Sequence, residues 1–312
     1  MKALTTLIKR NVKLFFKDKG MFFTALITPA ILLVLYATFL GNVYKDSFIS
    51  SLPQGITLSD AQIGGLVGGQ LVSSILAVSC VTVAFCSNFL MVQDKANKTI
   101  KDLTIAPTSS YVLSLGYYIS TLISTLIICL VATAICLLYL SAVGWFLSFA
   151  DVVLIIADVF LLVMFGTALS SIISFFLSTQ GQISAVGTII SAGYGFICGA
   201  YMPISTFGEG LQNAVMLLPG TYGTALLRNH ALNGVLESIQ NERVPVPIPI
   251  DGFKDMLDCN IYFFDNKVSI PSMYVVLAIS VIVLLGAYVL MNILLNLMSK
   301  FWAIQHKILT KT

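Results

Sequence analysis

Residues 61–107 read AQIGGLVGGQLVSSILAVSCVTVAFCSNFLMVQDKANKTIKDLTIAP, and the fold turns on this stretch. Its first part carries no charge between Asp60 and Asp94. About 20 apolar residues suffice to cross roughly 30 Å of hydrocarbon as a helix, so 66–92 is predicted to span a membrane. The second part changes character at once. Asp94, Lys95, Lys98, Lys101 and Asp102 crowd together, with Ala96, Ile100 and Leu103 at helical spacing among them. That pattern predicts a short amphipathic helix over 94–107 in an inner loop. It stops before Pro107, because the residue preceding a proline avoids helical backbone. An apolar face in an otherwise polar loop points to a partner that covers it.

Working outward, charge-free intervals recur between Lys19 and Lys45, Asp102 and Asp151, Asp158 and Glu209, and Lys267 and Lys300. The second and third of these exceed one span, and small or polar residues break each of them, at 141–145 and 178–182. Six spans follow, near 21–42, 66–92, 111–140, 148–177, 183–202 and 272–298. Composition agrees: 57% of residues are hydrophobic, 10% are charged, and mean hydropathy is +0.94. Soluble domains carry about 25% charged residues, so a soluble globular class is excluded. The net charge of +3, with no basic tract interleaved with aromatics, predicts no nucleic-acid partner.

Lysine and arginine set the orientation. With six spans, twelve of them fall on one side (2–19, 95–101 and 300–311) and five on the other. The positive excess marks the cytoplasmic side, so both termini are predicted inside a multi-pass cell-membrane protein. Trp145 and Trp302 fall at the expected outer and inner interfaces. The first apolar segment has the length of a span and no convincing cleavage site, so it is expected to be retained. Before it, Leu4, Leu7, Ile8, Asn11, Val12 and Phe15 recur at helical spacing opposite Lys2, Lys9, Arg10, Lys13 and Lys17. Residues 1–19 are therefore expected to form a basic interfacial helix facing membrane lipid. Sparse arginine beside abundant Ile, Leu and Lys fits a bacterial plasma membrane.

Elsewhere, 43–65 is expected to be a short outer loop, and Gly64, Gly65, Gly68 and Gly69 are expected to permit close helix packing. Residues 203–271 form the longest non-spanning segment. Its first half is apolar but split by Pro219-Gly220, which predicts two re-entrant helices of about ten residues each. Its second half is polar and mildly acidic. The expected architecture is all-α, with 1–312 as a single transmembrane domain.

Three stretches together resemble the membrane-spanning permeases of the type-2 class of ABC transporters. The first is the basic helix that leads into span one. The second is the inner loop, where Asp94-Lys95, Thr99-Ile100 and Leu103 follow the family's pattern and Ala106-Pro107 closes it; Lys98 stands where Gly is common, Lys101 where Glu is common and Ala106 where Thr is common. The third is Gly199-Ala200-Tyr201-Met202-Pro203-Ile204, followed by Pro219-Gly220-Thr221-Tyr222 and Arg228. The resemblance implies an exporter permease. Residues 94–107 become a coupling helix whose Asp94, Lys95, Lys98, Thr99, Ile100, Lys101, Asp102, Leu103 and Pro107 meet a cytoplasmic ATPase. It implies a second permease copy as well. No Walker A pattern occurs in the chain, so ATP and Mg are expected on the partner and no cofactor here. A lipophilic or amphipathic cargo (drug, antimicrobial peptide, lipid or glycan) is expected.

Asp158, Gly199, Pro203, Tyr222 and Arg228 are candidates for the substrate path. Asp158 is the one ionisable residue deep in a predicted span, which reads either as a functional group or as a hydrogen-bonded structural carboxylate. Arg228 reads either as a contact to an anionic headgroup or as a snorkelling side chain. His230 and His306 stand apart and predict no metal site or acid–base role. All six cysteines read as packing residues, with Cys259 alone outside the spans. Two other functions remain at this point. A secondary transporter or channel would show several intramembrane ionisable groups or repeats; a sensor or assembly factor would use the fold without transport.

Overall fold

The computed structural model describes residues 2–50, 58–105, 109–241 and 250–309. In chain order the helices are α1 (Lys2–Lys17), α2 (Lys19–Leu35), α3 (Gly41–Ser50), α4 (Asp60–Ala96), α5 (Thr99–Ile105), α6 (Ser110–Val143), α7 (Phe149–Phe176), α8 (Gln180–Ile197), α9 (Glu209–Met216), α10 (Pro219–Gln240), α11 (Ile250–Met256) and α12 (Ile270–Leu309). A π-helical turn, Tyr36–Leu40, joins α2 to α3. Among the described residues the strands are β1 (Tyr262–Phe263) and β2 (Asn266–Lys267), an antiparallel pair of two residues each. The fold is all-α and membrane-spanning.

Among the described residues, five helical stretches are long and apolar enough to cross a membrane: Lys19–Asp46, Asp60–Ala96, Tyr111–Val143, Phe149–Phe176 and Ile270–Leu294. The sequence-predicted span at 183–202 differs. Its helix, α8, is 18 residues long, about 27 Å at the helical rise, and Gln180, Gln182, Ser184 and Ser191 dilute its apolar character. It also stops early. Gly199 takes φ +72°, a left-handed backbone open to glycine. Ala200 N then bonds Gly195 O at 2.8 Å and Gly199 N bonds Phe196 O at 3.2 Å. This pairing closes the last turn of a helix on a glycine.

Other boundaries shift for equally local reasons. The loop expected over 43–65 is helical through Ser50, and α4 begins at Asp60 rather than 66. Ser59 caps α4: Ser59 Oγ accepts from Gln62 N at 3.2 Å, and Ser59 N donates to Gln62 Oε1 at 2.8 Å. The same reciprocal cap starts α7 at Ser148–Asp151 and α8 at Thr179–Gln182. Both expected breaks in the long apolar intervals are thus helix boundaries. The two helices expected on either side of Pro219-Gly220 are unequal. The first helix, α9, has 8 residues, whereas α10 runs for 22, starting on Pro219 and continuing through Gly234. A Cβ on Gly234 would lie 1.9 Å from Phe146 O, so the bare backbone there lets α10 pass the α6–α7 connection.

At the centre stands α4, flanked by α2, α6, α7, α8 and α10. Its most apolar window is wholly buried. Small residues bring its neighbours in: a Cβ on Gly64 would lie 2.3 Å from Val143 O, and one on Gly69 would lie 2.6 Å from Leu232 Cδ2. Close approach through small residues is how apolar helices gain dispersion contacts where water exclusion does not drive them together. Deeper along α4, Asn88 Nδ2 donates to Ser171 Oγ at 3.1 Å, and Thr121 Oγ1 donates to Asn88 Oδ1 at 3.4 Å. These bonds tie α4 to α7 and α6. The first helix, α1, lies against α6 with Leu7, Asn11 and Phe15 buried at four-residue intervals.

Candidate functional site

The Asp94 end of α4 is built from charged groups that meet main chain and side chain alike. Asp94 is buried and accepts from Arg10 Nη1 at 2.7 Å, from Arg10 Nη2 at 3.1 Å and from Tyr117 Oη at 2.5 Å. The carboxylate beside Arg10 raises the guanidinium further above its already high range. Lys95 turns the other way. Its Nζ donates to Ser174 O (3.0 Å), Phe175 O (2.8 Å) and Leu177 O (3.2 Å) at the end of α7.

The link to α5 is short. Asn97 N bonds Gln93 O at 2.9 Å, and Lys98 takes φ 62°. Thr99 opens α5, which is seven residues long; Lys98 and Asp102 are exposed, and Ile100 and Leu103 are half-buried. Leu103 shares a cleft of about 330 Å³ with Lys2, Thr6, Leu7, Arg10 and Val112, so part of the apolar face of α5 is turned to α1 and α6. The backbone of Lys101 lies in α5. Pro107 lies outside the described residues.

A cavity of about 920 Å³ runs between α2 and α8, floored by Cys86 and Phe89 of α4. Ile27, Ile31, Leu35 and Phe39 line its α2 side. Ser184, Thr188 and Ser191 line its α8 side at one helical face, with Gly187 between them. Tyr201 and Met202 lie at one end. A second cavity of about 310 Å³ shares Thr24, Cys86, Phe89 and Ile183 with it and reaches Asp18 and Gln93. The two form one cleft, apolar along α2 apart from Thr24 and dotted with hydroxyls along α8.

None of the path residues singled out in the sequence lines this cleft. Pro203 begins the 3-10 turn Ile204–Thr206. Tyr222 is buried and donates from Oη to Met216 O at 2.8 Å. Arg228 is fully buried, so neither an open headgroup contact nor a snorkelling position describes it. It pairs with Asp258 at 3.2 Å and donates to Gly199 O. Asp258 in turn accepts from Ile204 N at 2.7 Å. Burial pushes the Asp258 carboxyl up while the guanidinium pulls it down, and burial prevails. Cys259 beside it is buried, its thiol pushed up to about 12 by burial.

His230 is not isolated, contrary to expectation. Its Nδ1 lies 2.5 Å from Asp158 Oδ2, and Tyr274 Oη donates to Asp158 Oδ1 at 2.5 Å. One buried carboxylate thus joins α7, α10 and α12. The cleft residues themselves escaped the sequence reading. The signal that marks them is Ser184, Thr188 and Ser191 at spacings of four and three, which place three hydroxyls on one face of α8.

No curated protein matches the chain. The family pattern described as ABC-2 type transporter matches residues 2–231 of the 312. That region takes in α1, the charged α4–α5 corner, the cleft and most of α10. The family supplies the membrane component of transport rather than the nucleotide-hydrolysing one, and the chain belongs to it: this is an ABC-2 type permease.

Proposed function

We infer that the chain is one of two membrane subunits of an ATP-driven exporter that passes an amphipathic, largely apolar substrate along the α2–α8 cleft. The observation that carries this reading is the cleft itself, apolar on one wall and hydroxyl-bearing on the other, running from Asp18 and Gln93 to Tyr201 and Met202. Such a lining takes a lipophilic body and leaves hydrogen bonds for a polar end. Positive charge at 2–19 and 95–101 supports placing α1, α5 and both termini in the cytoplasm with six spans, α8 being the fifth. ATP and Mg then belong to separate ATPase subunits docked on α5, where Lys98 and Asp102 are exposed. A second copy is supported by α8. Ile189 on this helix is 68% exposed, and a Cβ at Gly181 or Gly193 would meet no atom within 4 Å. A helix face of this kind accepts a close-packed partner.

The test is co-purification with the cognate ATPase, followed by ATP-dependent accumulation of a rhodamine dye in inverted vesicles. Gly187→Trp, which fills the cleft, is expected to abolish accumulation with the complex intact. Lys98→Glu combined with Asp102→Lys is expected to release the ATPase. Accumulation without ATP, or undiminished with the cleft filled, overturns the reading. A proton-driven carrier is the second reading, and the Asp158–His230–Tyr274 network favours it; accumulation driven by a pH gradient alone would select it.

A further inference from the structure

Lys95 was expected on the ATPase-docking surface, but its side chain points elsewhere. An ammonium has three donors, and Lys95 spends all three on Ser174 O, Phe175 O and Leu177 O. These carbonyls close α7, where a helix leaves acceptors unpaired and carries partial negative charge. The ring of Phe175 lies 5.7 Å from the same ammonium. Lys95 therefore fastens the last turn of α4 to the last turn of α7.

Both sides of this fastening are short. Toward α5, Lys98 N bonds Lys95 O at 3.1 Å, and α5 starts at the next residue. Toward α8, only Ser178 and Thr179 separate Leu177 from Gln180. Both are held, since Gln182 Oε1 accepts from Ser178 N at 2.8 Å and from Thr179 N at 3.1 Å. The path from α5 through Lys95 to α8, the hydroxyl-bearing wall of the cleft, contains no slack segment. Asp94, one residue away, is held on the opposite side by Arg10 and Tyr117.

We propose that Lys95 is the positioning residue that converts displacement of α5 into displacement of α8. This rests on the ATP-driven reading above. Asp94 anchors the corner to α1 and α6, and Lys95 carries the motion across to the α7–α8 elbow. The cleft wall then moves when the ATPase moves α5.

The experiment uses the full chain in nanodiscs with its ATPase. A bimane fluorophore is placed on Ala185→Cys, an exposed α8 position; the native cysteines are buried. With Lys95 intact, ATP and vanadate are expected to shift the bimane emission. Lys95→Met is expected to lose the shift while ATPase recovery and ATP hydrolysis persist, and Lys95→Arg to restore it. Retention of the full shift in Lys95→Met overturns the proposal. Where Lys95→Met fails to fold, two glycines inserted between Ser178 and Thr179 decide. They leave the lysine clamp in place and add slack beyond it, so a lost shift supports the proposal and a full shift overturns it. Absence of any shift with Lys95 intact, or of any ATPase in the complex, counts against the ATP-driven reading and removes this proposal with it.

Discussion

Arg10 and Asp94 meet in a forked ion pair, with contacts of 2.7 and 3.1 Å, across most of a hundred residues of chain. The fork fixes α1 against the end of α4, and Tyr117 adds α6 to the same carboxylate. A planar guanidinium holds a carboxylate in two parallel bonds, which a lysine cannot reproduce. Arg10→Ala is expected to lower stability by about 2 kcal/mol, the scale of a hydrogen bond to a charged partner. Arg10→Lys is expected to recover less than half of that. Thermal unfolding in detergent measures both, and an unchanged midpoint for Arg10→Ala would remove the fork from the forces holding α1.

The Arg228–Asp258 pair is more deeply buried, and Arg228 also holds the Gly199 carbonyl. Removing one member of a buried pair leaves the other charge without compensation, at about 3–5 kcal/mol. Arg228→Met alone and Asp258→Asn alone are each expected to cost that much, and the double variant less than their sum. Additive losses in a double-mutant cycle would show that the two residues act separately.

Asp158 is hydrogen-bonded to buried His230 on α10 and accepts from half-buried Tyr274 on α12. Asp158→Ala removes this partner from both, at about 1–3 kcal/mol each. The expected result is a lower unfolding midpoint, with accumulation per folded molecule retained. Lost accumulation at an unchanged midpoint would place Asp158 on the transport path instead.

Gly234→Ala puts a methyl group 1.9 Å from Phe146 O, and backbone cannot swing aside as a side chain does. The strain is expected to cost at least about 1–3 kcal/mol. Gly208→Ala, which meets no atom within 4 Å, is the control and is expected to be neutral. Comparable midpoints for the two variants would contradict the close passage of α10.

Much of this architecture was legible in the order of residues. Charge-free intervals gave the long helices, and Ser148 with Asp151 and Thr179 with Gln182 marked their restarts through local cap chemistry. The amphipathic α1 followed from periodicity, whereas the helix expected over 94–107 divides, with 94–96 closing α4 and only Thr99–Ile105 forming the short α5. What escaped depends on distant partners. Asp158 finds His230 seventy-two positions on, and Arg228 finds Asp258 thirty positions on. No local period encodes such pairings, so His230 read as isolated and Arg228 as exposed. The cleft escaped because its walls belong to α2 and α8, which lie more than a hundred residues apart in the chain. Lys95 misled for a related reason: a lysine in a charged loop reads as solvent-facing until the carbonyls that bind it are in view.

The full burial of the middle of α4 gives the chain the mechanics of a mast with rigging. A helical segment enclosed on every side cannot move without displacing all its neighbours, so it holds still while its own end at Lys95 and the members touching it from one side swing. The outer members, α2 and α8, have that freedom. Substitutions along the buried middle of α4 should therefore act on yield and folding, whereas substitutions along α2 and α8, and at Lys95 in the last turn of α4, should act on what passes and how fast. A deep mutational scan read separately for abundance and for transport would divide along that line.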